Sequence, residues 1–176
     1  MASQNWETFV EYVAARSSAL QRAAYLMVGD VGLAEDLVQE ALVKTCGAWP
    51  RLRDRGAAEA YTRKVITTTA LGWFRRRSWS AERPIGRPPD TSTPGHADGV
   101  TDRAWLWRCL LQLPPRQRVA IVLRFYEDLS EAQTAEAMNC AVGTVKSQVS
   151  AGLAKLRSLV GDELLLPPAS QEVVAS

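Results

Sequence analysis

Residues 129–157, LSEAQTAEAMNCAVGTVKSQVSAGLAKLR, decide how this chain is read. Ser130 and Gln133 have the spacing of a capping box, in which each side chain takes a backbone N–H of the other residue. Ala132, Ala135 and Met138 form a short apolar stripe, and Asn139-Cys140 interrupts it. Asn tolerates the left-handed backbone that a helix end often needs. The chain restarts at Gly143-Thr144. Val145, Val149, Gly152/Leu153, Leu156 and Val160 then recur at steps of three and four, the pattern of an amphipathic helix. Its other face carries Thr144, Lys146, Ser147, Gln148, Ser150 and Ala151, small and weakly charged. Such a face can enter the DNA major groove, where Lys reads guanine, Gln reads adenine and Ser reads either. The pattern predicts a helix-turn-helix with the second helix as reader. An ordinary helical hairpin with a solvated face gives the same pattern, since such motifs produce many false positives.

Working outward, 176 residues that are 47% hydrophobic fit one medium or two small soluble domains. No apolar run approaches the ~20 residues that span a bilayer, and no signal peptide is recognisable, so a cytoplasmic protein with no membrane association is expected. Cys46, Cys109 and Cys140 are widely spaced and odd in number, and are read as reduced, buried, small hydrophobes. With His96 as the sole histidine and no CxxC pair, neither a metal site nor a His-dependent hydrolase is expected. No glycine-rich phosphate loop is present, and no cofactor is expected.

Charge is unevenly spread. Residues 51–87 hold ten Lys/Arg against three Asp/Glu, whereas residues 1–50 hold three against six and residues 127–176 three against seven. One basic surface behind an acidic front suggests a nucleic-acid face and a separate docking face. Periodicity predicts a helix over 8–28, with Phe9, Val13, Leu20, Ala24 and Met27 on one side, and a second over 31–48. In the second, Leu33, Leu37, Val38, Ala41, Leu42 and Thr45 face inward, and Glu35, Asp36, Gln39 and Glu40 lie opposite. Those acids are either a solvated helix start or a docking face for a basic partner. A third helix is predicted over 57–77, with Tyr61, Val65, Thr69 and Trp73 inward, although Val65-Ile66-Thr67-Thr68-Thr69 is β-branched and locally favours strand. Arg75, Arg76 and Arg77 follow Trp73 and Phe74. Aromatics beside arginines can stack unpaired bases and track phosphates, or end an ordinary helix whose dipole welcomes cations.

Residues 80–100, with four prolines and three glycines, read as a flexible linker. A helix over 102–113 follows, with Trp105, Leu106, Cys109, Leu110 and Leu113 apolar. Pro114-Pro115 then starts a helix striped by Val119, Val122, Leu123 and Tyr126. Residues 161–176 lack periodicity and read as a disordered tail. The expected fold is all-α, with two small helical domains: 1–79, then after a linker at 80–101, 102–160 with the helix-turn-helix.

Three blocks together resemble the bacterial extracytoplasmic-function (group IV) sigma factors, in particular their SigE-like branch. GDVGLAEDLVQEAL looks like sigma region 2.2, RKVITTTALGWFRRR sits where regions 2.3 and 2.4 fall, and the run from LPPRQR through VGTVKS to AKLR looks like region 4. The resemblance covers about residues 6–160. It implies a subunit that binds core RNA polymerase, at the clamp of the largest subunit and the flap of the second-largest, and directs it to promoter DNA. Carried over by position, Asp36, Gln39 and Glu40 match the polymerase-binding acidic motif. Lys64, Thr68, Arg75, Arg76 and Arg77 fall in the segment that handles the minus-ten element, and Thr68 stands where the family often has Asn. Thr144, Lys146, Ser147, Gln148, Ser150 and Ala151 fall on the helix that reads the minus-thirty-five element. Gln148 and Ala151 replace common arginines, which changes the preferred sequence. The resemblance leaves room for an anti-sigma factor. The small apolar C-terminal residues resemble tags read by Clp-type proteases. The competing readings are a stand-alone helix-turn-helix regulator, which would need its own dimer interface and no acidic docking face, and a small helical enzyme, for which no His/Cys/Asp cluster stands at site spacing.

Overall fold

A computed structural model describes residues 2–81 and 101–160, and among them every regular element is helical. The expected linker and tail lie outside the described residues. Helix α1 spans Ala2–Val28, α2 Val31–Ala48 and α3 Arg55–Ala81, with a 3₁₀ turn at Trp49–Arg51. Then come α4 (Thr101–Leu111), α5 (Pro115–Ile121), a π-helical turn at Val122–Tyr126, α6 (Glu131–Met138) and α7 (Val142–Val160).

Helix ends follow local chemistry. Gly29 closes α1 at φ +77°, a left-handed backbone that favours glycine. Asp30 caps α2 by accepting the Leu33 N–H at 2.7 Å. Asp54 does the same for α3 with Ala57 N–H at 2.8 Å. The β-branched run stays helical because Ile66, Thr67 and Ala70 are buried in the core, and tertiary burial overrides weak local propensity.

The α1–α3 bundle carries a buried hydroxyl chain. Tyr12 Oη donates to Thr62 Oγ1 at 2.9 Å, and Thr62 meets Thr45 Oγ1 at 2.8 Å, joining all three helices. Burial raises the Tyr12 phenol above its usual value, so it stays a neutral donor.

The two domains pack against each other. Leu20, Met27, Ile66 and Ala70 from the first half share one core with Val119, Leu123, Ala135 and Val145 from the second. Tyr25 stacks on Trp107 at 4.8 Å between centroids. Arg63 Nε donates to Glu127 Oε2 at 2.9 Å and Arg63 Nη2 to Glu59 Oε1 at 2.8 Å, and Glu59 also takes Arg16. Arg118 is buried over the Phe74 ring and donates to Leu111 O. Burial lowers its pKa.

Several faces differ from the periodicity. On α3 the buried residues are Ala58, Thr62, Ile66, Thr67 and Ala70, and Tyr61, Val65, Thr69 and Trp73 are half-buried. The inward stripe is rotated by about one residue because α3 packs on α2 along one side and α6 along another. On α6 Ala132 is exposed, and Thr134, Ala135, Ala137 and Met138 are buried. Leu106 and Tyr126 are exposed too. Tyr126 is turned out by the π-turn, in which Glu127 N–H reaches Val122 O. Only Cys109 of the three free thiols is buried; Cys46 and Cys140 are half-buried.

Candidate nucleic-acid and polymerase interfaces

The helix-turn-helix forms as α6–α7. Ser130 Oγ accepts Gln133 N–H at 3.2 Å and Gln133 Oε1 accepts Ser130 N–H at 2.9 Å, a complete capping box. Asn139 takes the left-handed conformation (φ 50°, ψ 54°), and Cys140 N–H closes the α6 end on Ala135 O. Val145 is fully buried between the helices. At Gly152 an added Cβ would lie 2.6 Å from Ile121 Cδ1, so glycine lets α7 lie close on α5. This packing turns Lys146, Ser147, Ser150 and Ala151 to solvent and leaves Thr144 and Gln148 half-buried. Lys146 Nζ sits 3.5 Å from Glu131 Oε2, which holds the cation against the first helix of the motif. Ser147 Oγ donates to Thr144 O at 2.9 Å.

On α2 Asp36, Gln39 and Glu40 are all exposed on one face, away from buried Leu37, Val38 and Ala41. Glu40 is held by Lys44 at 2.6 Å. One exposed apolar residue missed by the sequence reading joins this surface: Val43 (72% exposed). Helical spacing was the available signal, since Val43 follows Asp36, Gln39 and Glu40 at the same steps of three and four. The face is therefore mixed acidic and apolar.

Arg75, Arg76 and Arg77 are exposed at the far end of α3, with Arg77 over the Trp73 ring at 5.2 Å. Phe74 is not a free stacking face, because Arg118 covers it. Lys64 is half-buried, and Thr68 spends its hydroxyl on Lys64 O at 2.7 Å. Thr68 and Arg75 line a cleft of about 790 Å³ together with Leu71, Phe74, Arg116 and Met138. The structure thus groups the α7 residues on one face and the α2 residues on another, and it turns part of the α3 set toward α5 and α6. Among the described residues no three His, Cys, Asp or Glu side chains are grouped to hold a metal, and no helix is long and apolar enough to cross a membrane.

An exposed acidic helix, a basic helix and a capped helix-turn-helix in one all-helical chain define a DNA-binding protein with a second docking surface. Comparison with known families makes this specific. The family model "Sigma-70 region 2" matches residues 13–80, and "Sigma-70, region 4" matches residues 103–156. The RNA polymerase sigma-E factor of Streptomyces avermitilis is 42% identical over 149 residues, 85% of this chain and 83% of that protein. The ECF RNA polymerase sigma factor SigL of Mycobacterium tuberculosis is 31% identical over 148 residues, 80% of this chain and 82% of that protein. The fold matches the sigma factor RpoE crystallised with the anti-sigma factor NepR from Bartonella quintana (TM-score 0.73, 23% identity, 89% of this chain and 99% of that one). It also matches CnrH in complex with the cytosolic domain of CnrY (TM-score 0.62, 21% identity, 90% of each chain). The chain belongs to the extracytoplasmic-function RNA polymerase sigma factors. It binds core polymerase and directs promoter-specific initiation of transcription.

Proposed function

We propose that three surfaces divide this work, with domain limits at 1–79 and 102–160. Asp36, Gln39 and Glu40, with Val43 beside them, dock on the clamp of the polymerase largest subunit. Lys64, Thr68, Arg75, Arg76 and Arg77 engage the minus-ten element. Thr144, Lys146, Ser147, Gln148, Ser150 and Ala151 face the minus-thirty-five element. The observation that carries the division is the exposure, on separate faces, of the α2 set and of Lys146, Ser147, Ser150 and Ala151 in the α7 set, each backed by a buried stripe of its own helix. Phe125 (59% exposed) and Tyr126 (47%) are proposed to meet the flap of the second-largest subunit. Catalysis belongs to the polymerase, and the chain acts in the cytoplasm beside its template. An anti-sigma factor is a proposed partner, and a Clp-type protease acting on the C-terminal residues is another.

The test is reversal of Asp36 and Glu40 to Lys. Both are exposed, so the fold should survive, whereas like charge at the interface should abolish co-purification with core polymerase and run-off transcription. Unchanged helical circular dichroism with unchanged polymerase binding would refute the assignment of this face.

A further inference from the structure

Of the α7 residues Thr144, Lys146, Ser147, Gln148, Ser150 and Ala151, Lys146 alone is charged. Lysine is a compact point charge on a flexible stem, without the rigid fork by which arginine orients itself on guanine. Phosphates line both edges of the major groove, and an ammonium that settles on one positions the protein without reading sequence. Base readout by Lys146 therefore gains from a group that keeps its ammonium off the backbone.

Glu131 is placed to be that group. It is the first residue of α6, and its Oε2 lies 3.5 Å from Lys146 Nζ on the other helix of the motif. Its carboxylate is not needed to cap α6, because Ser130 and Gln133 already close the first turn at 3.2 and 2.9 Å. The frame that brings the two residues together is fixed by that capping box, by left-handed Asn139 and by fully buried Val145. The first helix of a helix-turn-helix crosses the phosphate backbone. A carboxylate at its start both repels phosphate and attracts the ammonium.

We propose that Glu131 is a positioning residue for sequence readout, which holds the Lys146 ammonium over the bases and away from phosphate. It lowers affinity for DNA in general and raises discrimination. The proposal rests on the reading of α7 as the helix that faces the minus-thirty-five element. With side chains 62% and 43% exposed, the pair adds little to the stability of the fold. Its effect lies in where the cation spends its time. Exposed pairs shift such equilibria by factors of up to about five, so loss of the carboxylate should move Lys146 from base to phosphate by about threefold.

The experiment compares polymerase holoenzymes formed with the parent chain, Glu131→Gln, Lys146→Ala and the double variant. Each is selected on a pool of random-sequence duplexes, sequenced before and after binding, and each is titrated with salt on one mixed-sequence duplex. Glu131→Gln should bind the mixed duplex about threefold more tightly. The slope of log Kobs against log salt should steepen by about one, as one added phosphate contact requires. In the pool, Glu131→Gln should lose about threefold of discrimination at the base pairs where Lys146→Ala loses it, and nowhere else. Added to Lys146→Ala, it should leave base preference and salt slope unchanged. Equal tightening with and without Lys146, at constant base preference, would reveal a plain repulsive charge and overturn the proposal. Weaker binding to every duplex with a lower thermal midpoint would reveal a structural role and overturn it as well. Base preference lost in Lys146→Ala but kept in Glu131→Gln would overturn the proposal alone. Preference unchanged in Lys146→Ala would overturn the reading of Lys146 as a base contact, and the proposal with it.

Discussion

Glu127→Gln should loosen the contact between the two halves and strengthen polymerase binding. Arg63 and Glu127 join α3 to the end of the π-turn at 2.9 Å, each side chain only 13% exposed. The gross attraction at that distance is ~6 kcal/mol at an effective dielectric of about 20. Most of it does not appear as net stability, because both groups leave water and Arg63 keeps Glu59 as a second partner. The amide retains a neutral hydrogen bond, so the expected loss is about 1–2 kcal/mol, near the low end for bonds to charged groups. That shifts a closed-to-open equilibrium roughly 5–30-fold.

Opening should favour function on dimensional grounds. Helix α3 packs on α6 and α6 on α7, which places the two helices proposed to face DNA about 20 Å apart at ordinary helix spacings. Elements at minus ten and minus thirty-five are separated by about 25 base pairs, or ~85 Å at 3.4 Å per pair. The assay is small-angle scattering against added urea, paired with polymerase titration. The variant should expand at lower urea and bind polymerase more tightly by a similar factor, and the shared apolar core should keep it closed in plain buffer. An unchanged expansion midpoint, or weaker polymerase binding without expansion, would refute the reasoning.

Other outcomes are expected. Lys146→Ala should lose about 1–3 kcal/mol of discrimination at one or two base pairs; uniform loss on every upstream sequence would make Lys146 a phosphate contact. Replacing Arg75, Arg76 and Arg77 with Ala should flatten the salt dependence of promoter opening, and a slope equal to the parent's would exclude phosphate contact. Tyr12 has a raised folded-state pKa, so its contribution is fully present below its unfolded value of about 10 and is lost as pH rises through the folded value. Tyr12→Phe should therefore soften the alkaline fall of the denaturation midpoint, and an identical alkaline limb in both proteins would count against the burial argument. Ala175-Ser176→Asp-Asp should lengthen the half-life after synthesis is blocked if a Clp-type unfoldase reads the tail; equal decay would end that reading.

The helix-turn-helix was legible because its cues are local: a serine and a glutamine three apart, an asparagine at the turn, and valine and leucine at helical steps. The α2 span was legible for the same reason, with Asp30 as cap and Gly29 as stop. The inward face of α3 was not. Its sequence is apolar or small on several sides, and which side is buried depends on α6, a partner more than fifty residues away. Phe74 looked available for stacking because nothing near it in sequence announces that Arg118 will cover it. Lys44 on Glu40 could have been read from the i,i+4 spacing, and Val43 from the same stripe. The π-turn that exposes Phe125 and Tyr126 has no local signature comparable to a cap.

The core shared by both halves has a consequence for inhibition. Any molecule that prefers the closed chain antagonises polymerase, if polymerase prefers the open one, even where their footprints never meet. By reciprocity, the factor by which such a ligand weakens polymerase binding equals the factor by which polymerase weakens the ligand. Residues such as Leu20, Val119 and Leu123, which touch neither DNA nor polymerase in any reading above, then set the strength of that antagonism. Trimming a methyl group there would tune inhibitor sensitivity and basal activity in opposite directions, with every docking surface left intact.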